Sequence, residues 1–257
     1  MTKCNDKLYN SVSLLKIKLK LQVIILYEKI REVVCKANKE LHSLGLAPFT
    51  WGNVSEVDRE NGVFAIKPSG VAYDELTPEK IVIVSLNDGK VVDGDYNPSS
   101  DTPTHYILYK EFEDLNAIVH THSVNASAFA QAGRAIPAYG TTHADFSYTA
   151  VPCTRALTED EVKTEYELNT GKVIVSHFRE NELETQSTPA VLVRSHAPFV
   201  FGKNANDAVH NAAVLEIVAE MALKTELIGK SVDEIDGYLS DKHYFRKHGK
   251  DAYYGQK

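Results

Sequence analysis

Apolar residues recur at helical spacing early in the chain. Ile30, Val33, Val34, Ala37, Leu41 and Leu44 mark one face, so a first helix is predicted over residues 23–44, with Gly45 as its stop. The pattern then shortens into runs of strand length. Residues 62–67, 81–86, 117–122 and 190–195 read as strands, each bounded by turn-forming residues. Residues 90–93 return as a hairpin partner after Asn87-Asp88-Gly89, and residues 199–201 continue after a bend. Residues 49–55 form a short strand or turn, and residues 151–155 a short strand. Helices are predicted from Asp101-Thr102-Pro103 to about residue 112, over 124–131, after the capping box Thr158-Glu159-Asp160-Glu161, and over 171–179, 206–228 and 233–247. Residues 141–146 are predicted as a loop. Helices and strands alternate irregularly, and several strands are joined by hairpin-length links. That argues for an α/β or α+β sandwich with a mixed or mostly antiparallel sheet.

No internal repeat or linker divides residues 23–257, so one domain is expected, preceded by an extension over residues 1–22. Residues 12–26 are apolar, but Lys16, Lys18 and Lys20 interrupt them, so neither a membrane span nor a secretory signal is expected. Composition narrows the classes further. The formal charge of −7 and the lack of a long basic run argue against nucleic acid or an anionic membrane as the main partner. Cys4, Cys35 and Cys153 are scattered and odd in number, which fits a reducing cytoplasm better than a disulfide framework.

The chemistry concentrates at strand ends. In Ile118-Val119-His120-Thr121-His122, alternation puts both histidines on one side of a strand, where they either grip a metal ion or simply end the strand. His196 closes another apolar strand and has the same two readings. If the strands are neighbours, three imidazoles and an open position make the ligand set of a catalytic zinc. Pro68-Ser69-Gly70 and Pro98-Ser99-Ser100-Asp101 offer hydroxyls and free backbone N–H groups, the second at a helix start. They are either an anion site, to which Asn53 would add an amide, or tight turns and a cap. Asp101 is either that cap or a carboxylate reaching the metal. Asp145 is a carboxylate in the predicted loop. Tyr254, near the C-terminus, would move a proton at neutral pH only if nearby positive charge lowered its ordinary pKa of about 10.

Seven separated motifs occur in a telling order: Thr50-Trp51-Gly52-Asn53-Val54-Ser55, Lys67-Pro68-Ser69-Gly70-Val71, Pro98-Ser99-Ser100-Asp101-Thr102-Pro103-Thr104-His105, Val119-His120-Thr121-His122-Ser123, Gly140-Thr141-Thr142-His143-Ala144-Asp145, Ser195-His196-Ala197-Pro198-Phe199, and Lys242-His243-Tyr244 through Tyr253-Tyr254-Gly255-Gln256. Together they resemble the class II aldolase/adducin superfamily, and within it the pentulose-phosphate epimerases, from about residue 24 to the end. The resemblance implies a three-layer α/β/α sandwich around a largely antiparallel sheet, in a cyclic homotetramer with active sites at subunit interfaces. It implies zinc, or another divalent ion such as manganese or cobalt, on His120, His122 and His196, with Asp101 as fourth ligand or near neighbour. Gly52, Asn53, Ser69, Gly70, Ser99, Ser100 and Asp101 would hold a sugar phosphate. Asp145 and Tyr254 would be the acid/base pair, with Tyr254 supplied by the adjacent subunit and with His243 and Arg246 near that interface. The implied activity interconverts L-ribulose 5-phosphate and D-xylulose 5-phosphate by retro-aldol cleavage and re-addition at C3–C4. Aldolases of the superfamily that release their aldehyde carry Glu where this chain has Asp101 and lack the equivalent of Asp145. Adducin-like binding modules are expected to lose the metal ligands, whereas this chain keeps three histidines.

Overall fold

The structure, a computed structural model, describes residues 27–229, 231–250 and 252–255. The predicted extension over residues 1–22 lies outside them. Helix α1 (27–43) buries Ile30, Val34, Ala37 and Leu41, the face that the spacing predicted.

Seven strands form one sheet: β1 (Gly52–Asp58), β2 (Val63–Ile66), β3 (Val82–Ser85), β4 (Val91–Asp93), β5 (Ala117–Thr121), β6 (Ala190–Leu192) and β7 (Pro198–Gly202). Their order is β4-β3-β2-β1-β5-β7-β6, and every neighbouring pair is antiparallel. The helices are α2 (Thr102–Glu111), α3 (Val124–Ala132), α4 (Thr141–Ala144), α5 (Glu159–Lys163), α6 (Tyr166–Glu180), α7 (Ala205–Ile228) and α8 (Gly237–Lys247).

Both faces of the sheet are covered. Val54, Ala117, Val119, Leu192 and Val200 pack with residues of α1, α3 and α7. Phe64, Ile118, Val191, Phe199 and Phe201 pack with residues of α2 and α6. Two buried faces explain why these strands read as continuous apolar runs and not as an apolar–polar alternation. Helices α2 and α6 approach closely at Gly171, where a Cβ would stand 2.2 Å from Ile107 Cγ2. That contact accounts for a glycine inside α6, which begins at Tyr166 and not near residue 171 as predicted.

Two further expectations are corrected. Residues 141–146 are not wholly loop, because Thr141–Ala144 form the short helix α4. Residues 151–155 make only isolated bridges, Ile136 with Val151 and Cys153 with Leu192. Pro152 lacks the N–H that a continuous ladder would need there.

The register sets up the site. In the β1–β5 pair, Asn53 lies opposite His120 and Ser55 opposite Ile118. Their side chains share the face that packs on α2. Gly52 lies opposite Thr121 with φ +143°, and a Cβ there would stand 2.8 Å from the His120 carbonyl oxygen. Only glycine fits that approach without strain.

Candidate active site

His120 is the penultimate residue of β5, and His122 stands just beyond the strand end. His196 occupies the tight connection between β6 and β7. That connection turns at Ser195, whose φ of 61° is unusual for a residue with a side chain, and the Ser195 amide is pinned to the Ala130 carbonyl at 2.8 Å. Because β7 pairs with β5, the turn is delivered beside the end of β5. The three histidines thereby offer ligand nitrogens that all lie within 4.8 Å of one another, a group that could hold a metal ion.

Their chemistry suits one. His120 Nδ1 lies 3.0 Å from the Pro198 carbonyl and must donate to it. This directs Nε2 toward the other two rings, and that nitrogen sits 3.2 Å from His122 Nε2. Burial, then the neighbouring His120, pushes the His122 pKa down, and burial pushes His196 down to about 4. Both rings are therefore neutral at pH 7, the state that binds a metal. The Tyr166 hydroxyl lies 3.4 Å from His196 Nδ1 and orients that ring.

Asp101 occupies the N-cap position of α2, but its side chain makes no capping bond. Its Oδ2 accepts from Asn53 Nδ2 at 2.7 Å instead. A carboxylate only accepts, so this contact identifies the Asn53 nitrogen and leaves its amide oxygen buried and unpartnered at the cavity wall. Burial raises the Asp101 pKa, but His120, His105 and Asn53 outweigh it and hold the carboxyl below its usual range. The carboxylate lies outside the group formed by the three histidine nitrogens.

An open cavity of about 560 Å³ collects these groups, and its wall includes Gly52, Asn53, Asp101 and the three histidines. The two predicted anion loops lie on its rim. They are tied together by Ser69 N donating to Asn97 O at 2.9 Å and Ser99 N donating to Lys67 O at 3.0 Å. Ser69, Gly70 and Ser100 are exposed there.

Six residues of the cavity wall carried no assigned role in the sequence: Thr50, Trp51, Lys67, Pro68, Tyr166 and Glu167. Lys67 is 2 % exposed, donates to the Val71 carbonyl at 2.7 Å and lies 4.8 Å from the Tyr73 ring centroid. No carboxylate pairs with it among the described residues. Burial lowers its pKa to about 8. A lysine closing a buried strand was the available signal, since such a residue needs a partner that the strand itself does not supply. Tyr166 and Glu167 begin α6, where no pattern marks them.

Asp145 and Tyr254 do not line this cavity. They meet each other elsewhere, around Arg246 of α8. Arg246 donates to both oxygens of Asp145, at 3.0 and 2.6 Å, and its guanidinium lies 4.8 Å from the Tyr254 ring centroid. His243 Nδ1 lies 3.1 Å from the same carboxylate and Lys247 Nζ 3.3 Å. Burial pushes the Asp145 pKa up, but Arg246, Lys247 and His243 outweigh it and hold the carboxyl below the usual range. Tyr254 is 62 % exposed. One chain thus carries two separate polar groups, the histidine cavity and the Asp145–Tyr254 cluster.

Comparison with known proteins matches residues 32–223 to the model of the class II aldolase and adducin N-terminal domain. The chain is 54% identical over 230 residues to the L-ribulose-5-phosphate 4-epimerase UlaF of Salmonella paratyphi C, covering 90% of this chain and 100% of that protein. The protein of the same name from Salmonella typhi matches to the same extent. Among solved structures, an L-fuculose 1-phosphate aldolase superposes with a TM-score of 0.71 at 25% identity, over 84% of this chain and 94% of that one. The L-fuculose-1-phosphate aldolase of Thermus thermophilus superposes at 0.62 with 22% identity, over 79% and 98%, a likeness of fold.

Proposed function

The chain belongs to the class II aldolase and adducin family, and from that premise we propose that it is an L-ribulose-5-phosphate 4-epimerase that works through a divalent metal. The observation that carries this reading is the convergence of His120, His122 and His196 beside two tied anion loops. Zinc suits a set of three neutral imidazoles, and manganese or cobalt would also be held. Asp101 is assigned as fourth ligand or near neighbour of the ion.

The substrate's chemistry sets the task. C4 of a 2-ketopentose phosphate is not adjacent to the carbonyl, so its proton is not acidic and cannot simply be removed and returned. Inversion requires the C3–C4 bond to break. The C4 hydroxyl loses its proton, the C4–O electrons form the aldehyde, and the C3–C4 pair moves into an enediolate spanning C2 and C3. A divalent ion held by the histidines supplies Lewis acidity to the negative charge that develops. The glycolaldehyde phosphate turns its other face, the bond reforms, and the new alkoxide takes up a proton. Gly52, Asn53, Ser69, Gly70, Ser99 and Ser100 are assigned to the substrate, chiefly to a phosphate that keeps the fragment from leaving, and buried Lys67 supplies the countercharge.

Two proton carriers are needed, one for each face of the aldehyde. We assign these roles to Asp145 and Tyr254. Their separation from the cavity within one chain supports a homotetramer in which the cluster of one subunit completes the cavity of its neighbour. Exposed Trp51 at the cavity, and Phe245, Tyr253 and Tyr254 beside the cluster, fit such an interface. In this arrangement Asp145 and Tyr254 come from the same subunit, because both adjoin Arg246. The free thiols Cys35 and Cys153 support a cytoplasmic setting, and none of the described helices is long and apolar enough to cross a membrane.

The role of Lys67 has a pH signature. Its ammonium is charged below about pH 8 and neutral above it, so KM for the phosphorylated substrate should rise as pH increases through 8. A Lys67→Met variant should have a KM raised about tenfold or more at pH 7 and should lose that inflection. A KM profile identical in the two proteins would remove Lys67 from the site.

Product analysis tests the function itself. Metal-loaded protein incubated with L-ribulose 5-phosphate should form D-xylulose 5-phosphate with no net release of aldehyde. Net glycolaldehyde phosphate without the epimer would make the protein an aldolase.

A further inference from the structure

Tyr73 lies in the connection between β2 and β3, buried, with its ring in the same core as Leu41, Ala47 and Val54. Phenylalanine would fill that core equally well. The hydroxyl has a separate task, because it donates to the Gly52 carbonyl at 2.7 Å. Burial pushes its pKa up, so it stays a donor across the working range of pH. The ring face has another task. The Lys67 ammonium lies 4.8 Å from the ring centroid, and two of its three N–H groups are met by the Val71 carbonyl at 2.7 Å and the Pro68 carbonyl at 3.2 Å. His42 of α1 stacks on the same ring at 4.7 Å, within 10° of parallel. Nothing in the reaction outlined above uses Tyr73.

The two contacts reach two parts of the cavity wall. The Gly52 carbonyl and the Asn53 N–H belong to one planar peptide unit, so a grip on the carbonyl sets the plane from which Asn53 departs. The Asn53 side chain donates to Asp101 Oδ2 at 2.7 Å and to Ser99 Oγ at 3.1 Å. Gly52 carries no side chain that could restrain its own backbone, which stands at φ +143°. The hydroxyl of Tyr73 supplies that restraint. Lys67 poses a different problem. Its buried ammonium is surrounded by carbonyl oxygens and π electrons in place of water, and a desolvated cation over an aromatic face gains about 2 kcal/mol. Loss of the face would make the charged form harder to keep.

We propose that Tyr73 is a positioning residue for the reaction: its hydroxyl fixes the Gly52–Asn53 peptide that presents Asn53 to the cavity, and its ring face holds the Lys67 ammonium in place for a bound phosphate. Tyr73 does not itself line the cavity, so it acts through these two residues. The role rests on the proposed epimerase reading, in which Asn53 and Lys67 serve the sugar phosphate.

Two variants of the metal-loaded protein take the contacts apart. Tyr73→Phe keeps the ring and removes only the hydroxyl. Its kcat should fall about tenfold with KM within about twofold of wild type, and the KM inflection near pH 8 should stay in place. Tyr73→Leu removes the ring as well. Its KM should rise about fivefold at pH 7, and the inflection should move down by about one pH unit, because the charged lysine has lost its π partner. Calorimetry with inorganic phosphate should divide the variants in the same way, with affinity within about twofold of wild type in Tyr73→Phe and about fivefold weaker in Tyr73→Leu. A residue that only packs would lower the unfolding midpoint and leave kcat, KM and the pH profile of the folded protein at wild-type values; that result would overturn the proposal. Should Tyr73→Leu not fold, a ring-fluorinated phenylalanine in place of Tyr73 weakens the π face at nearly constant volume. The inflection should then lie below that of Tyr73→Phe, and an unmoved inflection would overturn the role of the ring. Wild-type protein that binds phosphate without epimerising would sink the functional reading alone, whereas equal phosphate affinity in wild type and Tyr73→Leu would sink this one.

Discussion

With His122 replaced by alanine, the protein is expected to purify without stoichiometric metal and with epimerase activity reduced about 10⁴-fold or more. Two imidazoles, His120 and His196, would remain of the three that converge, and Asp101, which lies outside that group, does not replace the third. Losing several kcal/mol of Lewis-acid stabilisation corresponds to that scale, since each 1.36 kcal/mol is tenfold in rate. The fold should survive. His122 lies beyond the end of β5 and belongs to none of the apolar cores, so urea unfolding of the metal-free variant should stay within about 1 kcal/mol of metal-free wild type. Metal content, turnover and the unfolding midpoint check the three statements together. A variant that kept one metal per chain and normal turnover would remove His122 from the site.

Asp145→Asn should behave differently. The shape of the side chain is kept and the histidines are untouched, so metal content should match wild type. Turnover should fall about 10²–10⁴-fold, the usual worth of a proton carrier in the transition state. The variant also leaves Arg246 and Lys247 without their carboxylate. Because these contacts are partly exposed, the loss of stability should be small beside the loss of turnover. Unaltered turnover would withdraw the proton-transfer role from Asp145. In mixtures of His122→Ala and Asp145→Asn chains, an interface site predicts partial recovery, because some neighbouring pairs combine an intact cavity with an intact cluster. Mixtures no more active than their parents would argue for a site complete within one chain.

Much of this was legible in the residues. The helical spacing of Ile30, Val34, Ala37 and Leu41 located α1, and the runs around Ala117–Thr121 and Ala190–Leu192 located central strands, because burial on both faces leaves an apolar run. The strand-end histidines were visible as candidates, but their convergence depended on β7 pairing with β5, a contact between segments about 80 residues apart that no local pattern encodes. Residues 151–155 misled because β-forming side chains around Pro152 cannot supply a complete ladder. The ties between the 67–70 and 97–100 loops, the burial of Lys67 and the turn at Ser195 arise from tertiary packing and left only faint local marks. The choice between cap and site carboxylate at Asp101 was open on spacing alone, and the bond from Asn53 across the β1–α2 junction turns the side chain away from capping.

Epimerisation by this site requires the metal. Stepwise addition of zinc to chelator-stripped wild-type protein, with the conversion of L-ribulose 5-phosphate to D-xylulose 5-phosphate followed at each step, tests it most directly. Turnover should rise from near zero in proportion to added ion and level off at one per chain. Full turnover in the stripped protein, unaffected by any added ion, would contradict it.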